Sequence, residues 1–176
     1  RRTTGPQVAD ERIELRSANR LSEPLGDRGH VNVPSFNRQV LLTGEVPSAQ
    51  DRQRVEQVVL GVENVRSVVN DLAVMPPTSL GQRSNDTFIT GKVRASLVDA
   101  KDLSASAFKV VTERNVVYLM GRVTPREAQR ATEIARGVSG VSKVVRVFEM
   151  LTEEELRNIT PAPVVQDAPP ASTPRN

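Results

Sequence analysis

Cysteine is absent from the 176 residues, so no disulfide, thiolate zinc site or cysteine nucleophile can be built from this chain. Tryptophan is absent as well. With four Phe and one Tyr, the aromatic platform on which single-stranded nucleic acid stacks is nearly missing, and no nucleic-acid partner is expected. The one histidine, His30, stands at a loop-to-strand junction with no Ser, Cys or second His in a recognisable motif, and reads as an ordinary surface residue. No apolar run approaches the roughly 20 residues that span a bilayer as a helix, and Arg1-Arg2-Thr3-Thr4-Gly5 has no signal-peptide core. The ten glycines form neither GxGxxG nor a P-loop, which removes the usual nucleotide-binding fingerprints. What is left is a binding protein without a catalytic site, cofactor or metal.

Charge is present in both signs but unevenly. The chain is +3 overall, yet residues 10–74 hold eight basic against ten acidic side chains, while residues 85–150 hold eleven against seven. The second half is therefore basic, as a reader of an anionic surface needs to be, each well-placed cation contributing on the order of 1 kcal/mol near such a membrane. The acidic run Glu153-Glu154-Glu155 suits the first turn of a short helix.

Internal similarity divides the chain in two. Val40-Leu41-Leu42-Thr43-Gly44-Glu45-Val46 answers Val117-Tyr118-Leu119-Met120-Gly121-Arg122-Val123, and Gly61-Val62-Glu63-Asn64-Val65 answers Gly137-Val138-Ser139-Gly140-Val141. The offset is one residue shorter for the second pair, which places an insertion or deletion in the intervening helix or at its end. Each unit parses as helix, two hairpin strands, helix and closing strand. The fold class is α+β, with a small three-stranded mixed sheet packed by two helices in each unit.

The second unit is the more legible. Asp86 is placed to cap a helix in which Ile89, Val93, Leu97 and Ala100 form one buried face. Strands at 108–112 and 116–120 close around Arg114-Asn115, since Asn tolerates the positive φ of a tight hairpin. Thr124-Pro125-Arg126-Glu127 combines a cap, a proline at the first helical position and a reciprocal Glu, starting a helix that Gly137 ends. A strand over 141–150 follows, with Val144, Phe148 and Met150 as core positions. In the first unit the counterparts are a helix at 11–21, a loop at 22–29, strands at 31–36 and 39–45, a helix at 48–60 and a strand at 65–74 with Val68, Leu72 and Val74 inward. The organisation is a lead-in at 1–9, units at 10–74 and 85–150, a two-proline linker at 75–84, and at 151–176 a short helix with a proline-rich, disordered tail. Gly44 and Gly121, the most conspicuous pair in the repeat, read as structural glycines marking a bulge or a close backbone approach.

A hydrophobic strand, Gly-x-Val, a helix and Gly-Val-x-x-Val before the last strand resemble the BON domain, a bacterial envelope module. The resemblance covers roughly residues 10–150. The lead-ins Arg1-Arg2-Thr3-Thr4-Gly5-Pro6-Gln7 and Asp86-Thr87-Phe88-Ile89-Thr90 are similar to those of dual-BON outer-membrane lipoproteins. That resemblance implies export and a lipid anchor on a cysteine upstream of Arg1, on the periplasmic side of the outer membrane, where the protein supports envelope integrity. The absence of an initiating methionine suggests that a segment N-terminal to Arg1 was removed, by processing or by design, and a signal or lipid anchor would sit there. It also implies that the second unit binds anionic phospholipid through the start of its first helix, here Phe88, Ile89, Lys92 and Arg94. The family aromatic there is typically Trp, so Phe88 keeps the apolar wedge and lacks the indole N–H. A protein-interaction adaptor with an envelope partner is the alternative, since fold alone does not choose.

Overall fold

The first helix of each unit carries one inward stripe at matched positions. Asp10, Ile13, Ser17 and Leu21 are buried on α1 (Thr4–Leu25), and Asp86, Ile89, Val93 and Leu97 on α3 (Leu80–Asp99). The computed structural model describes residues 4–159, so the expected tail at 160–176 lies outside the described residues.

Both helices are longer than their sequence patterns suggested. In α1 the buried stripe continues through Leu25, which carries the helix past Pro24 into the segment expected as a loop; a short 3-10 turn, Gly26–Arg28, ends it. In α3 the cap is Ser79, whose side chain accepts from Gln82 N, so the connector before the helix is residues 75–79. Asp86 is not a cap. It lies inside α3, 3% exposed, and its carboxylate accepts the backbone N–H groups of Arg114 and Asn115 at 2.8 and 3.0 Å.

Asp10 does the same in the first unit, accepting from Asn37 N and Arg38 N at 2.9 and 2.8 Å. Both hairpin tips therefore hang on an aspartate of the preceding helix. At each tip two successive residues have positive φ, Asn37 and Arg38 at 49° and 65°, Arg114 and Asn115 at 49° and 65°. This is the type I′ pattern that matches strand twist and that arginine adopts only at a cost. The buried carboxylate offsets that cost by satisfying the two turn N–H groups.

The first sheet consists of β1 (His30–Asn32), β2 (Ser35–Phe36), β3 (Gln39–Val46), β4 (Ser67–Asn70) and β5 (Ala73–Val74). One register runs from His30↔Glu45 to Phe36↔Gln39, so β1 and β2 are one strand interrupted at Val33-Pro34, where proline cannot donate. β4 and β5 likewise share one parallel register with β3, broken at Asp71-Leu72. The second sheet is the uninterrupted version: β6 (Phe108–Glu113) antiparallel to β7 (Val116–Val123), and β8 (Lys143–Met150) parallel to it. Both are three-stranded mixed sheets with the central strand in the middle.

α2 (Ala49–Leu60) and α4 (Pro125–Arg136) complete each unit. Thr124 and Glu127 form a full capping box, and Ser48 with Asp51 a partial one. Counting from these caps moves the length difference between the repeats: Pro47, in the turn before α2, is the extra residue, rather than one in the helix or at its end. Gly137 does end α4, in ordinary right-handed geometry; the positive φ falls three residues later, at Gly140 and its counterpart Asn64. Val144 and Phe148 pack on the second core and Val68 and Leu72 in the first. Met150 and Val74, expected inside, are 54% and 51% exposed, because each is the last residue of its strand. A last helix, α5 (Glu153–Ile159), begins on the acidic run.

The units are not separate beads. β3 sends Val40, Leu42 and Val46 toward its own helices and Leu41 toward the other sheet, where it meets Phe36, Tyr118, Met120 and Val147 in a core shared by both units. β7 is divided in the same way, with Val117, Leu119 and Val123 facing α3 and α4. Lys109 extends the contact by bonding Glu14, and Arg66 by bonding Glu149.

Candidate functional site

The residues expected to meet lipid divide on α3. Phe88 is 64% exposed and Arg94 is exposed, whereas Ile89 is 1% exposed and packs with Val93 and Leu97. Ile89 is thus corrected to a core residue, since one helical step of about 100° turns it from the solvent side onto the buried stripe. Lys92 is half-buried; its Nζ donates to Ser139 O at 2.6 Å and sits 4.9 Å from the centroid of the Phe88 ring. That cation–π contact holds the ring and the ammonium together at the surface. Arg94 lies about 120° around the helix from Phe88, on the other flank of the exposed face.

The two glycines are sites of close approach. A Cβ on Gly44, whose φ is +117°, would lie 1.9 Å from His30 O, and one on Gly121 would lie 2.4 Å from Ala107 O. Neither position has room for a side chain without a shift of the neighbouring backbone.

A second constellation, absent from the sequence reading, lies between the units. Glu45 and Glu113 are 0% and 2% exposed, on inner faces of the two sheets. His30 corrects the expectation of a surface residue: its side chain is 16% exposed, and Nδ1 is 3.1 Å from Glu45 Oε1 and 4.0 Å from Glu113 Oε2. The strand that begins at His30 is what turns it inward. Arg114 pairs with the other Glu45 oxygen, Thr78 N donates to Oε1 at 2.9 Å, and Asn32 and Thr43 donate to Glu113 Oε1. Burial pushes the Glu113 carboxyl above the usual carboxylate range despite those hydrogen bonds. Burial would raise Glu45 too, but the Thr78 backbone N–H and the His30 ring hold it below its usual value. Among the described residues, His30, Glu45 and Glu113 are the one group with donor atoms arranged for a metal, each atom within 4.8 Å of the others. The available signal was charge: a glutamate at an inward position of a strand needs a partner.

The apolar half of the same interface gives a clean readout. Tyr118, the single tyrosine, donates its hydroxyl to Asp71 of the first unit at 2.6 Å. Burial, and then the Asp71 carboxylate, push its ionisation well above the ordinary tyrosine value. The raised folded pKa means stability present below about pH 10 and lost as pH climbs through the folded value. Tyrosinate absorbance of the folded protein should therefore appear only at higher pH than in denaturant, and Tyr118→Phe should flatten the alkaline fall in melting temperature. Titration at the ordinary tyrosine pH in the native state would contradict the buried contact.

Comparison with known proteins agrees with the duplication. Residues 9–76 and 85–152 each match the model of the BON domain. The chain is 37% identical over 152 residues to the outer membrane lipoprotein DolP of Haemophilus influenzae, covering 85% of this chain and 79% of that protein. It is 34% identical over 149 residues to a 21 kDa hemolysin of Actinobacillus pleuropneumoniae, covering 84% and 77%. Osmotically-inducible protein Y of Escherichia coli is 32% identical over 117 residues, covering 65% of this chain and 58% of that one. With two family matches in tandem and relatives that run through both, this chain belongs to the BON domain family.

Proposed function

We propose that the chain is the double-domain body of a non-catalytic envelope lipoprotein that meets an anionic phospholipid surface with its second unit and so helps maintain the outer membrane. The envelope setting rests on its similarity to an outer membrane lipoprotein. The observation that carries the lipid reading is Phe88, a phenylalanine left 64% exposed on α3 beside the Lys92 ammonium. An aromatic ring backed by a cation on the more basic unit can enter the headgroup boundary while the charge stays among the phosphates. No helix among the described residues is long and apolar enough to cross a membrane, so contact is at the surface.

The test is sedimentation with vesicles of zwitterionic phosphatidylcholine, with and without an added anionic phospholipid. The parent should prefer the anionic vesicles. Phe88→Ala should lose about 1.5 kcal/mol, roughly tenfold in affinity, if the exposed part of the ring is what inserts. Arg94→Glu should weaken binding most at low salt, where screening is least. Equal binding to both vesicle types, or both variants binding like the parent while folded by circular dichroism, would replace this reading with that of a protein-interaction adaptor.

A further inference from the structure

We propose that His30, Glu45 and Glu113 form a three-ligand site for one divalent transition-metal cation of the zinc class, placed so that the ion joins the two units. His30 and Glu45 come from the first unit and Glu113 from the second, so no unit alone holds the set. The donor atoms are one imidazole nitrogen and two carboxylate oxygens, a mixture that suits zinc and related ions better than magnesium or calcium.

The spacing is that of a site slightly open. Zinc bonds of about 2.0–2.2 Å at tetrahedral angles put ligand atoms roughly 3.4 Å apart. Here His30 Nδ1 is 3.1 Å from Glu45 Oε1 and 4.0 Å from Glu113 Oε2, with all three atoms inside 4.8 Å. Closing on an ion needs a shift of about an ångström in one side chain, and the imidazole carries its proton on Nε2 instead of Nδ1 in the bound form.

The surrounding groups orient the ligands as outer-shell partners do. Asn32 and Thr43 bind Glu113 Oε1, which leaves Oε2 toward the imidazole. Arg114 takes Glu45 Oε2 and Thr78 N steadies Oε1 from its backbone side. Charge points the same way. Arg114 offsets the Glu45 carboxylate, and a bound cation would pair the buried Glu113 carboxylate as well. A cavity of about 290 Å³ opens beside His30, Asn32 and Glu113, giving an ion a way in and room for a fourth ligand. Arg83 lines the same cavity with its Nε buried and lacking a hydrogen bond among the described residues.

The experiment uses the full chain, stripped by chelator and dialysed, with zinc titrated by calorimetry and the melting temperature followed in parallel. One equivalent per chain should bind and raise the melting temperature, because the ion binds the folded protein alone; magnesium at the same concentration should do neither. His30→Ala, a change at a partly exposed side chain, should weaken binding at least tenfold and remove the thermal shift, and Glu113→Gln should do the same. Because the chain has a single histidine, zinc should also move that one imidazole's proton resonances stoichiometrically. Undiminished one-to-one binding by folded His30→Ala, or no saturable binding by the parent, would overturn the site.

Discussion

Replacing Gly44 by alanine is expected to destabilise the protein by about 4 kcal/mol and to lower its melting temperature by about 10 °C or more. Two terms of similar size add. The backbone there has φ +117°, outside the region L side chains occupy, and even the milder left-handed helical region costs roughly 1–2 kcal/mol. The new methyl carbon would stand 1.9 Å from His30 O and 2.9 Å from the carbonyl carbon, both backbone atoms of the neighbouring strand. Overpacking against such unyielding neighbours costs typically 1–3 kcal/mol, and at about 2–4 °C per kcal/mol for a chain of this size the shift follows. Gly121→Val should cost less. Its φ is not positive and the obstructing atom is a single carbonyl oxygen, Ala107 O at 2.4 Å, so several degrees are expected. Thermal melts by circular dichroism compare the two. A Gly44→Ala melt within a degree of the parent would show that the strands do not approach so closely, and lost binding with an unchanged melt would give these glycines a direct binding role.

Much of this architecture could be read from the residues. The Gly-x-Val and Gly-Val-x-x-Val pairs located both repeats, and Thr124-Pro125-Arg126-Glu127 located a helix start, because a capping box is a local device whose members lie three residues apart. The hairpin turn at Arg114-Asn115 was legible for the same reason. What escaped was long-range. Asp86 has the composition of a cap, and only the return of the hairpin tip to α3 reveals that it binds N–H groups 28 and 29 residues away. The core shared by the units was hidden because inward positions were assigned on the closing strands alone, and the two faces of the central strands were left unread. Leu41, Tyr118 and Met120 were the clue: a central strand apolar on both faces signals a sheet covered on both sides, here by helices and by a second sheet. At the candidate lipid site the buried stripe through Ile89, Val93 and Leu97 was legible, yet the family resemblance also set Ile89 beside Phe88 on the lipid-facing surface, and the helix divides those two neighbours.

Asp86→Ala should remove about 3 kcal/mol and lower the melting temperature by about 10 °C, and Asp10→Ala should do nearly the same. Each carboxylate is buried, at 3% and 0% exposure, and each accepts two backbone N–H groups of a type I′ turn. Hydrogen bonds to charged acceptors contribute roughly 1.5–3 kcal/mol each, less than additively when two share one carboxylate. Without it the turn N–H groups lose their partner, and the arginine at positive φ in each turn loses the contact that offset its strain. Asp86→Asn separates the two contributions, since the amide keeps one acceptor oxygen and sets an N–H donor against the other turn N–H; it should fall between parent and alanine. The form of the melt is as informative as its midpoint. Because Leu41 and Phe36 pack with Tyr118, Met120 and Val147 in one core, damage to either unit exposes part of the other. Asp10→Ala and Asp86→Ala should therefore each shift one common transition instead of splitting it. Two resolved transitions, with only the mutated unit displaced, would show that the units fold independently and that their interface contributes little to stability.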